Sequence, residues 1–200
     1  MSLRILVVED NPDYMKACQE YMKDVQGTQV YAADFVSADE ALLNGAYDGA
    51  ISDCFFPFST GTNHIAKGRE AVRKMMKTPV GRSLAKVEGI LGTSAALHIG
   101  KNARAGEHPE GKYFDALMRA MLESEHNQPL GMLVAEMLDE RGVPFVLATS
   151  TYHHDELTQP ICNYAAGKHW TVIDCPQDAP EQKATPEFWE RAFAELRRKI

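Results

Sequence analysis

Only four cysteines occur in the chain, Cys18, Cys54, Cys162 and Cys175, and no two of them form a CxxC pair. That scatter excludes a zinc ribbon and a disulfide framework, and leaves buried free thiols as the reading. Long apolar runs are also missing: none approaches the roughly 20 residues of a membrane span, and no secretory h-region is present. Excess positive charge is absent. The formal net charge is −7 at pH 7, which argues against a general nucleic-acid binder. No GxxxxGK[ST] pattern occurs, so segments such as Gly89-Ile-Leu-Gly92 do not make a phosphate loop. There is no internal repeat and no low-complexity tract. These absences leave an ordinary globular protein, expected in the cytoplasm, with enough chain to bury a core.

What is present is most informative at the start. Ile5-Leu-Val-Val8 is apolar and rich in β-branched residues, too short for a helix, and reads as a buried strand. It stops at two carboxylates, Glu9 and Asp10. Asn11 is a suitable N-cap and Pro12 a suitable first helical residue, so a helix begins at once. The two acids therefore sit at the C-terminal edge of a strand, where open α/β sheets bind ligands. Adjacent acids repel, and a hard divalent cation such as Mg²⁺ relieves that repulsion.

The rest of the chain alternates strand and helix. A helix over 12–25 carries Tyr14, Cys18, Tyr21, Met22 and Val25 at helical spacing, with Gly27 as its stop. A strand follows at 29–33, then a helix at 37–43 with Ser37 as N-cap and Glu40 completing a capping box. The run 47–53 makes a third strand, ending in Asp53. Regularity resumes downstream: a helix over 130–142 with a glycine stop, a strand over 143–149, and a helix over 155–166 disturbed by Pro160. A strand at 169–174 and a last helix capped by Thr185-Pro186 follow, the latter with Phe188, Ala192, Phe193 and Leu196 on its inner stripe. Five βα units imply a doubly wound parallel sheet with helices on both faces. Residues 58–128 interrupt this pattern with helices expected at 65–77, 84–97 and 113–125 and a loop at 100–111, a length that suits an inserted subdomain.

Taken together these residues resemble the receiver domain of response regulators, the CheY-like family with a flavodoxin-like sheet in the order 2-1-3-4-5. Ile5-Leu-Val-Val-Glu-Asp-Asn matches the family's first motif. Tyr47-Asp-Gly-Ala-Ile-Ser-Asp53-Cys-Phe-Phe-Pro57 matches the second, and Phe145-Val-Leu-Ala-Thr149-Ser150 the third. Pro129-Leu-Gly-Met-Leu is similar to the start of the family's third helix. The resemblance covers 1–57 and 129–200, with 58–128 as a helical insertion. It implies Mg²⁺ held by Glu9, Asp10, Asp53 and the backbone carbonyl of Phe55. Asp53 would be the phosphoacceptor, and the Thr149 hydroxyl would hydrogen-bond the phosphoryl group. A histidine kinase or a downstream effector would be the protein partner, and a homodimer is compatible with the family. The expected function is a stand-alone two-component signalling module without an output domain, a regulatory protein rather than an enzyme.

Two departures follow from the residues. The family places a lysine before the proline after strand 5, and Cys175 stands there. Lys168 is at the other end of that strand, ~20 Å away for six extended residues and too far to substitute by itself; a cation from the insertion, such as Lys67 or Arg69, could reach instead. In addition, 96 positions separate Asp53 from Thr149, and the excess lies directly after Asp53, where it would cover the pocket or offer a new face.

Other residues allow a second reading. His153 and His154 follow Thr149 on the same edge and, with Glu9, Asp10 and Asp53, would make a mixed site for a metal-dependent hydrolase or phosphotransferase. The cations Lys67, Arg69, Arg73, Lys74, Lys77, Arg82 and Lys86 read as a solvated face, and His64, His98, His108, His126 and His169 carry no functional expectation.

Overall fold

The computed structural model describes residues 2–59, 128–155 and 158–200. Its strands are β1 (Leu3–Val8), β2 (Gly27–Ala32), β3 (Gly49–Ser52), β4 (Phe145–Ala148) and β5 (Thr171–Ile173). All pair in parallel, in the order β2-β1-β3-β4-β5. This is the expected flavodoxin-like α/β fold. The described helices are α1 (Pro12–Met22), α2 (Phe35–Asn44), α3 (Gly131–Glu140), α4 (Gln159–Gly167) and α5 (Pro186–Arg197), with a 3-10 turn η1 (Pro180–Ala184) before α5.

Strand alternation divides the core. Leu6 and Val8 of β1 point to one face, with Phe35, Ala38 and Leu42 of α2, Leu133, Val134 and Leu138 of α3, and Ile161 and Ala165 of α4. Ile5 and Val7 point to the other, with Ala17, Cys18 and Met22 of α1 and Phe188, Trp189, Ala192, Phe193 and Leu196 of α5. Period-2 alternation on β1 thus meets two helical layers, as both-face burial of a parallel sheet requires.

Local chemistry accounts for most boundaries. Asn11 Oδ1 accepts from the backbone N–H groups of Asp13 (2.9 Å) and Tyr14 (3.4 Å), and Pro12 opens α1 as expected. Gly142 ends the α3 region with φ +65, a left-handed conformation that glycine adopts without a Cβ penalty.

Several boundaries differ from expectation. Helix α1 stops at Met22, and Gly27 is the first residue of β2 rather than a helix stop. Helix α2 starts earlier, with Asp34 as N-cap: its carboxylate accepts from Ser37 N–H at 2.8 Å, while Ser37 Oγ accepts from Asp34 N–H at 3.2 Å. Ser37 is therefore the third helical residue of the capping box, not its cap, and Glu40 is not part of it. Helix α4 starts at Gln159, and Pro160 falls in its first turn, where its missing N–H costs nothing. Thr185 precedes α5 but makes no side-chain cap. Its hydroxyl donates instead to the Gln182 carbonyl at 2.8 Å.

The long segment after β3 leaves and returns at one place. Phe56 and Gln128 form an antiparallel bridge, with Phe56 N–H donating to Gln128 O at 3.1 Å. The expected helices at 65–77, 84–97 and 113–125, the loop at 100–111, and the cations from Lys67 to Lys86 lie outside the described residues.

Candidate functional site

The site is assembled at the C-terminal edge of the sheet. Parallel pairing of β1 with β3 sets Val8 opposite Ser52, and Asp53 N–H donates to Val8 O at 2.8 Å. That register places Glu9, Asp10 and Asp53 together. One ligand oxygen from each of the three lies within 4.8 Å of the others, and this is the single such grouping among the described residues.

Each carboxylate is held by specific donors. Glu9 Oε1 accepts from Asn11 N–H at 3.0 Å, so the residue that caps α1 also fixes the acid before it. Asp53 Oδ1 accepts from Cys54 N–H at 2.7 Å. Directly below, α3 begins at Gly131, where a Cβ would fall 2.0 Å from Asp53 O and 2.7 Å from Cys54 Cα. Only glycine allows that approach, and Gly131 N–H uses it to donate to Cys54 O at 3.1 Å.

The residue that sequence reasoning missed is Lys183. Its ammonium lies 2.6 Å from Glu9 Oε2 and 2.9 Å from Asp53 Oδ1. The side chain is completely buried. It comes from η1, which follows β5, and not from the strand end or from the insertion. Lys67 and Arg69 lie outside the described residues. Lys168 is elsewhere, 3.2 Å from Glu136 Oε1 on α3, beside Tyr164, which also hydrogen-bonds Glu136. Among the described residues the cation of this edge is Lys183.

Four further contacts hold η1 in place. The backbone N–H of Lys183 approaches the Cys175 thiol. The Trp189 indole N–H donates to Lys183 O at 2.9 Å. The ammonium also lies 5.3 Å from the Tyr14 ring centroid and 5.9 Å from that of Trp189, within cation–π range. Cys175, at the position where the resemblance implies lysine, thus lies against the backbone of the residue that supplies the ammonium.

Electrostatics reflect burial first. Desolvation pushes the Glu9 carboxyl up to about 8, against the opposing pull of Lys183. Asp10 rises to about 6, from burial and then from the Asp53 charge. Burial alone would lower Lys183, but the charges of Asp53 and Glu9 outweigh it and hold the ammonium protonated.

Thr149 stands on the same edge, one residue beyond β4 and buried. Its Oγ1 lies 2.8 Å from Thr151 Oγ1, which also accepts from Thr158 Oγ1 at 2.6 Å. His153 is not gathered with the acids: its Nδ1 is 2.7 Å from Asp174 Oδ2. The His154 ring packs on Tyr152 and His153. The mixed histidine–carboxylate grouping expected for a hydrolase is therefore not formed among the described residues.

Sheet order defines a flavodoxin-like α/β domain, and Glu9, Asp10 and Asp53 form an acidic grouping at its C-terminal edge. In comparisons of structure the chain is similar to the chemotaxis response regulator CheY4 of Vibrio cholerae, with TM-score 0.46 and 13% identity over 98% of this chain and 99% of that one. It is also similar to the signal receiver domain of an HD domain-containing protein from Pseudomonas fluorescens Pf-5, with TM-score 0.42 and 13% identity over 99% of each chain. No family model matches the chain, and no curated protein matches it in sequence. Among the described residues no helix is long and apolar enough to cross a membrane.

Proposed function

We propose that the protein is a receiver-like regulatory module whose Asp53 accepts a phosphoryl group in a Mg²⁺-dependent reaction and which acts through contacts with a protein partner. The observation that carries this reading is the buried Lys183 ammonium shared by Glu9 and Asp53. Fully ionised, three carboxylates and one ammonium leave two net negative charges, the complement of a divalent cation. The donors are all oxygens, as a hard cation prefers, and their mutual spacing suits one ion.

Glu9, Asp10 and Asp53 would hold the metal, with the backbone carbonyl of Phe55 as a further oxygen. When bound, Mg²⁺ supplies neutralisation of carboxylate and phosphoryl charge. The protein's own groups do the remainder. Cys54 N–H and Lys183 engage Asp53 Oδ1, which leaves Oδ2 as the oxygen that would meet the incoming group. It attacks phosphorus, a new O–P bond forms, and the bond from phosphorus to the donor's leaving group breaks with the electron pair departing on that group. The Lys183 ammonium would face the charge that builds on the phosphoryl oxygens, and the Thr149 hydroxyl would hydrogen-bond one of them.

The test is incubation with a small phosphodonor, with and without Mg²⁺, followed by intact mass. The expected result is one phosphoryl adduct that needs Mg²⁺ and is lost in Asp53→Asn. Trp189, in contact with Lys183, should report Mg²⁺ binding by a change in fluorescence. Absence of any adduct at Asp53 overturns the phosphoacceptor reading.

A further inference from the structure

We infer that η1 is a clamp, built from Cys175 and Trp189, which delivers Lys183 as the resident counter-cation of the acidic edge and thereby sets how strongly that edge binds a divalent metal. This deepens the reading above and rests on it for the identity of the metal. Four observations carry it.

First, Lys183 is the only described cation within ion-pair distance of Glu9 or Asp53. Second, its position does not come from a strand. Residues on a sheet edge inherit their placement from the register, whereas Lys183 lies on a five-residue 3-10 turn that needs its own anchors. Third, those anchors exist at both ends of the lysine's backbone. Its N–H approaches Cys175, and its C=O accepts from Trp189 Nε1 at 2.9 Å. Both anchor side chains are buried. Fourth, the ammonium lies within cation–π range of Tyr14 and Trp189, and the side chain has no exposure to water.

The physical consequence is competition. An ammonium fixed between Glu9 and Asp53 satisfies them without a metal, and it repels any divalent ion that approaches the same oxygens. A fixed cation therefore weakens metal binding while it organises Asp53 for chemistry. A cation with only a structural role would not have these opposite effects. Cys175 and Trp189 act through Lys183 and are positioning residues.

The decisive measurement is the separation of Mg²⁺ affinity from phosphorylation rate. In Lys183→Met, calorimetry should show Mg²⁺ binding tightened by about tenfold or more, as loss of a neighbouring positive charge requires. Phosphorylation of Asp53 should slow by about a hundredfold, the scale seen when one electrostatic contact to a reacting group is removed. Lys183→Arg keeps the charge on a different geometry and should restore weak Mg²⁺ binding without restoring the rate. Cys175→Ala and Trp189→Phe keep the ammonium but remove an anchor, and should shift both quantities partway in the same opposite directions.

Parallel weakening of Mg²⁺ binding and phosphorylation in Lys183→Met, with Lys183→Arg no better, overturns the inference in favour of a purely structural lysine. Unchanged Mg²⁺ affinity and rate in Cys175→Ala and Trp189→Phe overturn the clamp. If the unsubstituted protein binds Mg²⁺ but takes up no phosphoryl group, the phosphoacceptor reading fails, and the Mg²⁺ affinities still decide the role of Lys183.

Discussion

Lys183 Nζ lies 2.6 Å from Glu9 Oε2, and neither side chain is accessible to solvent. Removing one partner of such a buried pair leaves the other uncompensated, which costs on the order of 3–5 kcal/mol. Lys183→Ala should therefore lower the urea midpoint strongly in metal-free buffer. The double variant Lys183→Met with Glu9→Gln should lose less stability than the sum of its single changes, because it removes both members of the Lys183–Glu9 pair and leaves only Asp53 without its ammonium. Chemical denaturation of the four proteins completes the cycle. Strict additivity would mean that the two groups do not interact.

Gly131→Ala should damage the site from below. The added methyl would fall 2.0 Å from Asp53 O, so either α3 or the end of β3 must shift. The expected outcome is a loss of about 1–3 kcal/mol, the usual range for overpacking a filled position. Weaker Mg²⁺ binding should accompany it, because Asp53 moves with its own backbone. Equal Mg²⁺ affinity in the two proteins would show that α3 yields instead.

The bridge between Phe56 and Gln128 predicts that the domain tolerates loss of what lies between. We propose 58–128 as an insertion on the receiver-like domain formed by 1–57 and 129–200. Replacing residues 60–127 with a short Gly-Ser linker should preserve the circular dichroism of the α/β sheet and a cooperative thermal transition. Loop closure changes only slowly with length, by about 0.6 kcal/mol per doubling. Collapse of the transition would show that the segment is part of the core.

The thiols should be sluggish. Burial pushes Cys18 up to about 12 and Cys162 up to about 11, and it raises Cys54 and Cys175 as well. At pH 8 a thiol with a pKa of about 11 is thiolate in only about one part in a thousand. Reaction with a disulfide reagent should therefore be slow in native protein, rise with pH, and become rapid for all four cysteines in denaturant. A fast native thiol at pH 8 would contradict this.

How far the sequence reached depends on the kind of signal. The strand-end acids were legible because a short β-branched run, two carboxylates and an Asn-Pro cap each speak locally, and parallel pairing does the rest. Asp53 was legible as the acid that ends the third strand, in the run Tyr47-Asp-Gly-Ala-Ile-Ser-Asp53. Lys183 was not. It lies in Pro180-Glu-Gln-Lys-Ala184, a polar stretch with no apolar periodicity, and nothing local marks a lysine there as buried. The available hint was spacing: Pro176 to Thr185 is long for an ordinary connection between strand and helix, and Pro180 suits the start of a helical turn. The cap of α2 was misplaced for a different reason. Asp34 and Ser37 are both good cap residues three apart, and a capping box uses both, so composition alone did not say which came first.

The clamp also orders the assembly of the fold. Glu9 and Asp53 belong to the first third of the chain, and β1 and β3, which end just before them, pair directly in the sheet. Their counter-charge resides at position 183, in the last turn before the final helix. Until η1 and α5 dock, the acidic edge stays hydrated, since sealing carboxylates from water without a cation is strongly unfavourable. Closure of the site is therefore a late, long-range event of high contact order. On that basis Lys183 should make its native contacts after the transition state, so that Lys183→Ala accelerates unfolding and leaves the folding rate almost unchanged.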